Sequence, residues 1–308
     1  MKVIGYCKNK PRVIETINNF LNSSTRYGHT VELHKITSKI RKSKKAKLFK
    51  GDLYVLCGWN CVRDTLVIPK IIGINRLLIS DSFMRPLDFI NTKYEDNIHY
   101  SINSELSCIG SKYESLPNNR WKQFEKDMNI NVKPWNVRGN LVVITYGTDS
   151  VYTDNVKNIN SFKECIIACK RRGLDVVVCS HPAEIKAKLN YADASTIPEF
   201  NGLGCKFDVG ADKYLEDVKC MISYPGSMNF KSVIMGIPTF PIMDCYLSNL
   251  YKDCNIYTIG AFLDNIPLPD RSKWLNWLAY QQWTYEEIER GLPWKFLIED
   301  NNIQHDKV

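Results

Sequence analysis

Apolar residues in this chain gather in short runs of four to six, and between the runs they recur every three or four positions. Residues 3–6 predict a strand, and 52–57 (DLYVLC) and 76–80 (RLLIS) are runs of the first kind that end in small or polar residues. Such runs predict buried parallel strands. Residues 30–34 alternate, with Val31 and Leu33 on one side. Residues 12–23 place Val13, Ile14, Ile17, Phe20 and Leu21 at helical spacing. Strands alternating with helical stretches predict an α/β fold with a doubly wound sheet.

The stretch Lys133-Pro134-Trp135-Asn136-Val137-Arg138-Gly139 interrupts this pattern and reads as a linker. A second α/β series then begins. Residues 141–145 (LVVIT) predict a strand, 160–172 a helix stopped by Gly173, and 175–180 (DVVVCS) a strand. A strand at 221–224, a helix at 229–235 stopped by Gly236, and a strand at 238–241 follow. Beyond residue 271 the pattern changes. Trp274, Leu275, Trp277, Leu278, Trp283, Ile288, Trp294 and Phe296 form an aromatic-rich helical surface, and Thr284 with Glu287 is a capping-box signature. The expected organisation is a Rossmann-like domain at 1–135, a second at 136–271 facing it across a cleft, and helices at 272–308 that pack back across the junction to the first domain. Ligands of such folds sit beyond the carboxyl ends of the strands.

Length and composition fit this picture. The 308 residues suit two domains, and 44% apolar content lets each bury a core. No apolar run is long enough to span a bilayer, and the first residues, MKVIGYCKNK, lack a secretory signal's apolar stretch, so a cytoplasmic location is expected. The eleven cysteines are scattered, mostly within apolar runs, with no CxxC pair. That suits buried thiols in a reducing compartment rather than disulfides or structural zinc. The net charge of +8 is concentrated in residues 39–50 (KIRKSKKAKLFK), which hold seven basic residues and no acid. Lys39, Arg41, Lys42, Lys44, Lys45 and Lys47 are therefore candidate contacts for a polyanion such as DNA, RNA or an anionic membrane surface. A solvated loop or helix face is the plainer reading of the same charges. No aromatic ladder is interleaved with them, so a single-strand stacking platform is not indicated.

Three loops after strands of the second half carry candidate binding chemistry. The segment MISYPGSMNFKSVIMGIPTFP runs from strand through a Pro-Gly-Ser turn into a helix. That is a recipe for holding a phosphate, because exposed N–H groups and the positive end of the helix dipole face one point. Tyr224, Gly226, Ser227, Met228 and Asn229 make up the turn and the helix start, and Lys231 could reach a diphosphate. A helix N-terminus with a lysine can neutralise a leaving nucleoside diphosphate without a metal. No Asp-x-Asp motif appears, so no metal site is expected. The second loop is Tyr146-Gly147-Thr148-Asp149-Ser150, with a glycine permitting close backbone approach and hydroxyls to donate. The third is Ser180-His181-Pro182, whose histidine could bond a nucleobase or a phosphate, or simply cap the helix expected at 183–189. In the first half Asp81 follows RLLIS and is the candidate general base for an acceptor hydroxyl, a helix cap being its plainer role; Asp64 is a weaker alternative. No Ser/His/Asp triad, Walker loop or GxGxxG is present.

The combination of Tyr224, Gly226, Ser227, Gly236 and Pro238 resembles the donor-site element of glycosyltransferases with the two-Rossmann, B-type fold. Phage and bacterial members of that group are also similar at Tyr100-Ser101-Ile102-Asn103 through Leu116-Pro117-Asn118-Asn119-Arg120-Trp121, at Lys133-Pro134-Trp135, and at residues 277–284 with Glu286, Glu287, Gly291 and Trp294 beyond. The resemblance implies transfer of a sugar from a nucleotide donor, UDP-glucose being the expected one, to an acceptor hydroxyl. Relatives of this kind in phages glycosylate hydroxymethylated pyrimidines of DNA, which implies a double-stranded DNA acceptor and gives the basic stretch a purpose. Many relatives carry an acid where Lys231 stands, and that acid grips the donor ribose; the departure leaves the ribose contact open. A surface glycan or lipid-linked acceptor, a non-catalytic nucleotide or DNA-binding module, and a sugar-nucleotide epimerase are the alternatives.

Overall fold

A computed structural model describes residues 1–36, 49–57, 76–81, 99–103, 119–147, 155–186, 188, 192–224, 226–242, 245–251, 254 and 256–296. The basic stretch, save Phe49 and Lys50, lies outside these residues, as do Thr148 and Asp64.

In chain order the elements are β1 (Lys2–Lys8), α1 (Pro11–Ser24), β2 (Thr30–Ile36), β3 (Leu53–Cys57), β4 (Arg76–Asp81), β5 (His99–Asn103), α2 (Asn119–Asp127), β6 (Leu141–Tyr146), α3 (Asn155–Lys170) and β7 (Asp175–Ser180). They continue with α4 (Pro182–Lys186), β8 (Lys206–Val209), β9 (Cys220–Ser223), α5 (Ser227–Ile234), β10 (Thr239–Pro241), α6 (Ile259–Asp264), α7 (Ser272–Ala279), β11 (Gln282–Thr284), α8 (Tyr285–Glu289) and α9 (Leu292–Trp294). The chain divides into two compact units. One comprises Met1–Ser82, Asp88–Gly110 and Leu278–Val308; the other comprises Phe83–Leu87 and Ser111–Trp277.

The first unit holds a six-stranded sheet in the order β11-β5-β4-β3-β1-β2. β2, β1, β3 and β4 run parallel, as the apolar runs at 52–57 and 76–80 predict for β3 and β4. β5 joins β4 antiparallel, and β11 joins β5 antiparallel, pairing Trp283 with Tyr100. The sheet is therefore mixed, and the C-terminal region is not helical throughout: a strand stands between α7 and α8. The capping box forms as the sequence predicts, with Thr284 accepting from Glu287 N–H and Glu287 accepting from Thr284 N–H at 2.8 Å. Trp294 packs at 4.5 Å on Phe20 of α1, and its indole N–H donates to the Phe20 carbonyl. Its indole is thus core of this unit.

The second unit holds a parallel five-stranded sheet, β10-β9-β6-β7-β8. The chain leaves β6 toward β7 and β8, then returns to the other side for β9 and β10. This reversal puts a topological switch point between β6 and β9, where ligands of such sheets bind. Ile237, Met228 and Met235 pack on one face with Val143, Val177 and Met221. Residues 133–136, read from the sequence as a linker, are tied into this unit. Lys133 N–H donates to the Ile234 carbonyl at 2.9 Å and Asn136 N–H to that of Gly236 at 2.7 Å. The aromatic residues at the start of α7 are buried here, with the Trp274 indole donating to the Tyr246 carbonyl at 2.8 Å.

Candidate functional site

At the switch point, the last residues of β6 and β9 are joined side by side. Thr145 Oγ1 and Ser223 Oγ lie 2.9 Å apart, and Tyr224 N–H donates to Thr145 Oγ1 at 3.2 Å. Ser223 also bonds the side chain of Asn229, whose amide donates to Cys245 Sγ at 3.6 Å. Ser223 and Asn229 are wholly buried. A buried hydroxyl or amide left without partners costs about 1–3 kcal/mol, so this satisfied network holds the turn from β9 to α5 in one geometry.

α5 then begins at Ser227, with Gly226 as its cap residue in extended conformation. Gly226 has no side chain with which to cap this end. Of the four leading N–H groups, Asn229 donates to the Gly226 carbonyl at 3.1 Å and Phe230 to the Tyr246 hydroxyl at 3.1 Å. The same hydroxyl donates to the Gly226 carbonyl, so one phenol spans the first turn. The N–H groups of Ser227 and Met228 take no partner among the described residues. Gly226 and Ser227 are exposed, and a Cβ added at Gly226 would meet nothing nearer than the Tyr224 carbonyl at 4.0 Å. Two charge-assisted bonds to an anion are worth about 1.5–3 kcal/mol each, against about 0.3–1 kcal/mol from the helix dipole. The pair of amides thus outweighs the dipole in drawing an anion to this end.

The remaining sequence candidates divide. Lys231 is ion-paired with Asp212, a carboxylate 63% exposed. Tyr146 and Tyr224 are buried, and both rings pack on Phe162. A Cβ at Gly147 would lie 3.1 Å from the Tyr224 ring, so the glycine makes room for that ring. Ser180 is buried, its hydroxyl accepting from Ala194 N–H at 2.9 Å. His181 is exposed at the end of β7, and its carbonyl accepts from Glu184 N–H and Ile185 N–H, starting α4. Pro182 is the first residue of that helix. Asp81 is the last residue of β4, paired in register with Tyr100. Of the turn residues, Gly226 and Ser227 therefore remain available at the surface with the Met228 N–H, while Tyr224 and the Asn229 side chain serve the scaffold beneath them.

Sequence reasoning missed Tyr246, Thr145, Ser223 and Asp212. Tyr246 lies 20 positions from Gly226, and no local pattern announces such a contact. Asp212 belongs to a charged cluster after β8. Neighbouring Lys213 sits 2.6 Å from Asp208, which also accepts from Tyr214 and from Val209 N–H. Lys213, Tyr214 and the Val209 amide, in that order, hold the Asp208 carboxyl down at about 2, and Asp208 pushes the Tyr214 phenol up to about 12. Among the described residues no group of His, Cys, Asp and Glu could hold a metal ion, and no helix is long and apolar enough to cross a membrane.

No protein-family model matches the chain, and no curated protein matches its sequence. Solved structures do. KpsC of Thermosulfurimonas dismutans, a beta Kdo 2,7 transferase, superposes with a TM-score of 0.51 at 13% identity, covering 95% of this chain and 98% of that one. The spinosyn rhamnosyltransferase SpnG, complexed with thymidine diphosphate, matches at 12% identity and TM-score 0.35 over 95% of this chain and 100% of its own. The UDP-GlcNAc 2-epimerase from Methanocaldococcus jannaschii matches at 11% identity and TM-score 0.32, over 96% and 100%. At such identities the KpsC match speaks for the fold alone: this chain has a glycosyltransferase-like α/β fold.

Proposed function

We propose that this protein is a metal-independent glycosyltransferase whose nucleotide-sugar donor lays its diphosphate against the N-terminus of α5. The observation carrying this reading is the pair of unengaged amides at Ser227 and Met228, set on a rigid buried network at the switch point of the second sheet. The likeness to KpsC adds a fold known from sugar transfer. In the reaction an acceptor hydroxyl attacks the anomeric carbon, the bond to the diphosphate oxygen breaks, and the amides take up the charge developing on the leaving group. Lys231 adds a cation once the diphosphate displaces Asp212. Exposed ion pairs are worth only about 0–1 kcal/mol, so that exchange is inexpensive. Asp81, at the carboxyl end of β4, takes the proton if the reaction inverts.

Calorimetric titration with UDP, UDP-glucose and uridine tests the donor site. UDP and UDP-glucose bind, uridine binds at least tenfold more weakly, Lys231→Ala weakens UDP and Asp212→Ala tightens it. Equal affinity for uridine and UDP would rule out the diphosphate site.

The acceptor we assign is a hydroxymethylated pyrimidine of double-stranded DNA, for which the basic stretch at 39–50 is the support. Incubating hydroxymethylated duplex with nucleotide sugars and analysing nucleosides by mass spectrometry reads it directly. Glycosylated nucleoside forms with wild type and not with Asp81→Asn. Replacing Lys42, Lys44 and Lys45 by Glu lowers DNA affinity and its salt dependence. Donor binding without any modified nucleoside would discard the DNA acceptor and leave the donor site standing.

A further inference from the structure

The first sheet also reverses direction, between β1 and β3: β2 lies on one side of β1 and β3 on the other. At the carboxyl end of this pair stand two cysteines. Cys7 of β1 and Cys57 of β3 are partners in register, one beside the other on adjacent parallel strands. Residues so paired point to the same face of a sheet, and their Cα atoms lie about 4.8 Å apart. The face is the one covered by α1. A Cβ at Gly5, two residues before Cys7, would meet Ile17 and Leu21 of that helix. Both cysteines are buried, at 0% and 4% exposure. Both are thiols in this structure.

We propose that Cys7 and Cys57 are a redox-modifiable pair that closes to a disulfide across the carboxyl ends of β1 and β3. The Cα separation falls within the window of about 4.4–6.8 Å that disulfides occupy. The oxidant is a peroxide. One thiolate attacks the O–O bond; an S–O bond forms, the O–O bond breaks, and the departing hydroxide takes a proton to become water. The neighbouring thiol then attacks that sulfur; S–S forms, S–O breaks, and a second water leaves. Two thiols are oxidised and one peroxide is reduced to two waters. Burial pushes the Cys7 thiol up to about 11, so Cys7 rests as a thiol at neutral pH and reacts slowly. The bridge encloses α1, β2 and the basic stretch in one covalent loop, and it is independent of the donor site in the other unit.

The test treats the full native chain with hydrogen peroxide, alkylates the remaining thiols in denaturant, and maps cysteine peptides by mass spectrometry. The expected result is a peptide pair joined through Cys7 and Cys57, with two fewer titratable thiols per chain than the eleven present before oxidation. Dithiothreitol restores both, and Cys7→Ala and Cys57→Ala each abolish the linked peptide. Three outcomes would overturn the proposal: both cysteines recovered as alkylated thiols, Cys57 joined to Cys61 or Cys108 instead, or Cys7 carried to sulfinic acid without pairing.

Discussion

The two ends of α5 are built on opposite plans. At its C-terminus every one of the last four carbonyls is engaged. That of Lys231 accepts from Met235 N–H, that of Ser232 from Ile237, that of Val233 from Gly236, and that of Ile234 from Lys133. The Gly236 and Ile237 bonds together are a Schellman motif, with Gly236 at φ +78°. Arg271 adds a second donor to the Val233 carbonyl, reaches the Lys133 carbonyl at 2.6 Å, and lies 4.1 Å over the Trp135 ring. Burial lowers its guanidinium from the usual arginine range, yet the three contacts hold it there. At the N-terminus, two amides are left over on exposed or half-buried residues. A helix fixed so completely at one end can present the other to a ligand without moving, and a pre-set donor pair loses no reorganisation energy when charge develops.

The largest effect follows from breaking the fixed end. A Cβ at Gly236 would stand 2.0 Å from the Pro134 carbonyl oxygen, a main-chain atom that cannot swing away. Gly236→Ala therefore combines a left-handed alanine, about 1–2 kcal/mol, with a backbone clash, and should cost on the order of 3 kcal/mol or more in urea unfolding. Gly173 gives the control. It ends α3 in the same left-handed conformation, at φ +68°, but a Cβ there meets nothing within 4 Å. Gly173→Ala should cost only about 1 kcal/mol. Equal losses at the two glycines would mean that the segment at 133–136 is not what fixes α5.

A smaller effect belongs to the open end. Tyr246→Phe keeps the ring that stacks on Trp274 and deletes only the hydroxyl bridging Gly226 and Phe230. Stability should fall by about 1–2 kcal/mol. UDP affinity should fall severalfold while uridine affinity holds, because the first turn loses its brace. Loss of both affinities in equal measure would make the hydroxyl a general support rather than a device of the anion site.

These two ends also differ in how far the sequence discloses them. Gly173 and Gly236 announce their stops because a left-handed residue after an apolar helical face has one common meaning. The strands of the second sheet follow from LVVIT and DVVVCS, and the Thr284 capping box from three residues of spacing. Gln282-Trp283-Thr284 carries no alternation, so its place beside His99–Ser101 depends on contacts about 180 positions apart that no window contains. From the sequence Lys231 reads as an unpaired cation, yet Asp212, 19 positions earlier, pairs with its ammonium. Tyr146 and Tyr224 read as ligand contacts because they end strands, yet Phe162 draws both into the core. Local rules locate the turn at Ser227; only the tertiary structure separates the residues that face outward from those that hold it in place.

The smallest effect concerns the segment that meets α5 between its ends. Asp212 reaches Lys231 from the connection after β8, and in the same connection Lys213 and Tyr214 hold Asp208. The Asp208 carboxyl titrates at about 2 in the folded chain, below its unfolded value of about 3.9. The folded state therefore prefers the ionised form. Its contribution to stability is complete above pH ~4 and disappears as pH falls through about 2. Lys213 and Asp208 are solvent-accessible, so the contribution is modest and screened by salt. In urea titrations between pH 5 and 2, Asp208→Asn should be slightly less stable than wild type at pH 5, and the two should converge by pH 2. A gap that stays constant across that range would show that Asp208 acts through shape and hydrogen bonding alone, and that the connection is not electrostatically clipped where it meets α5.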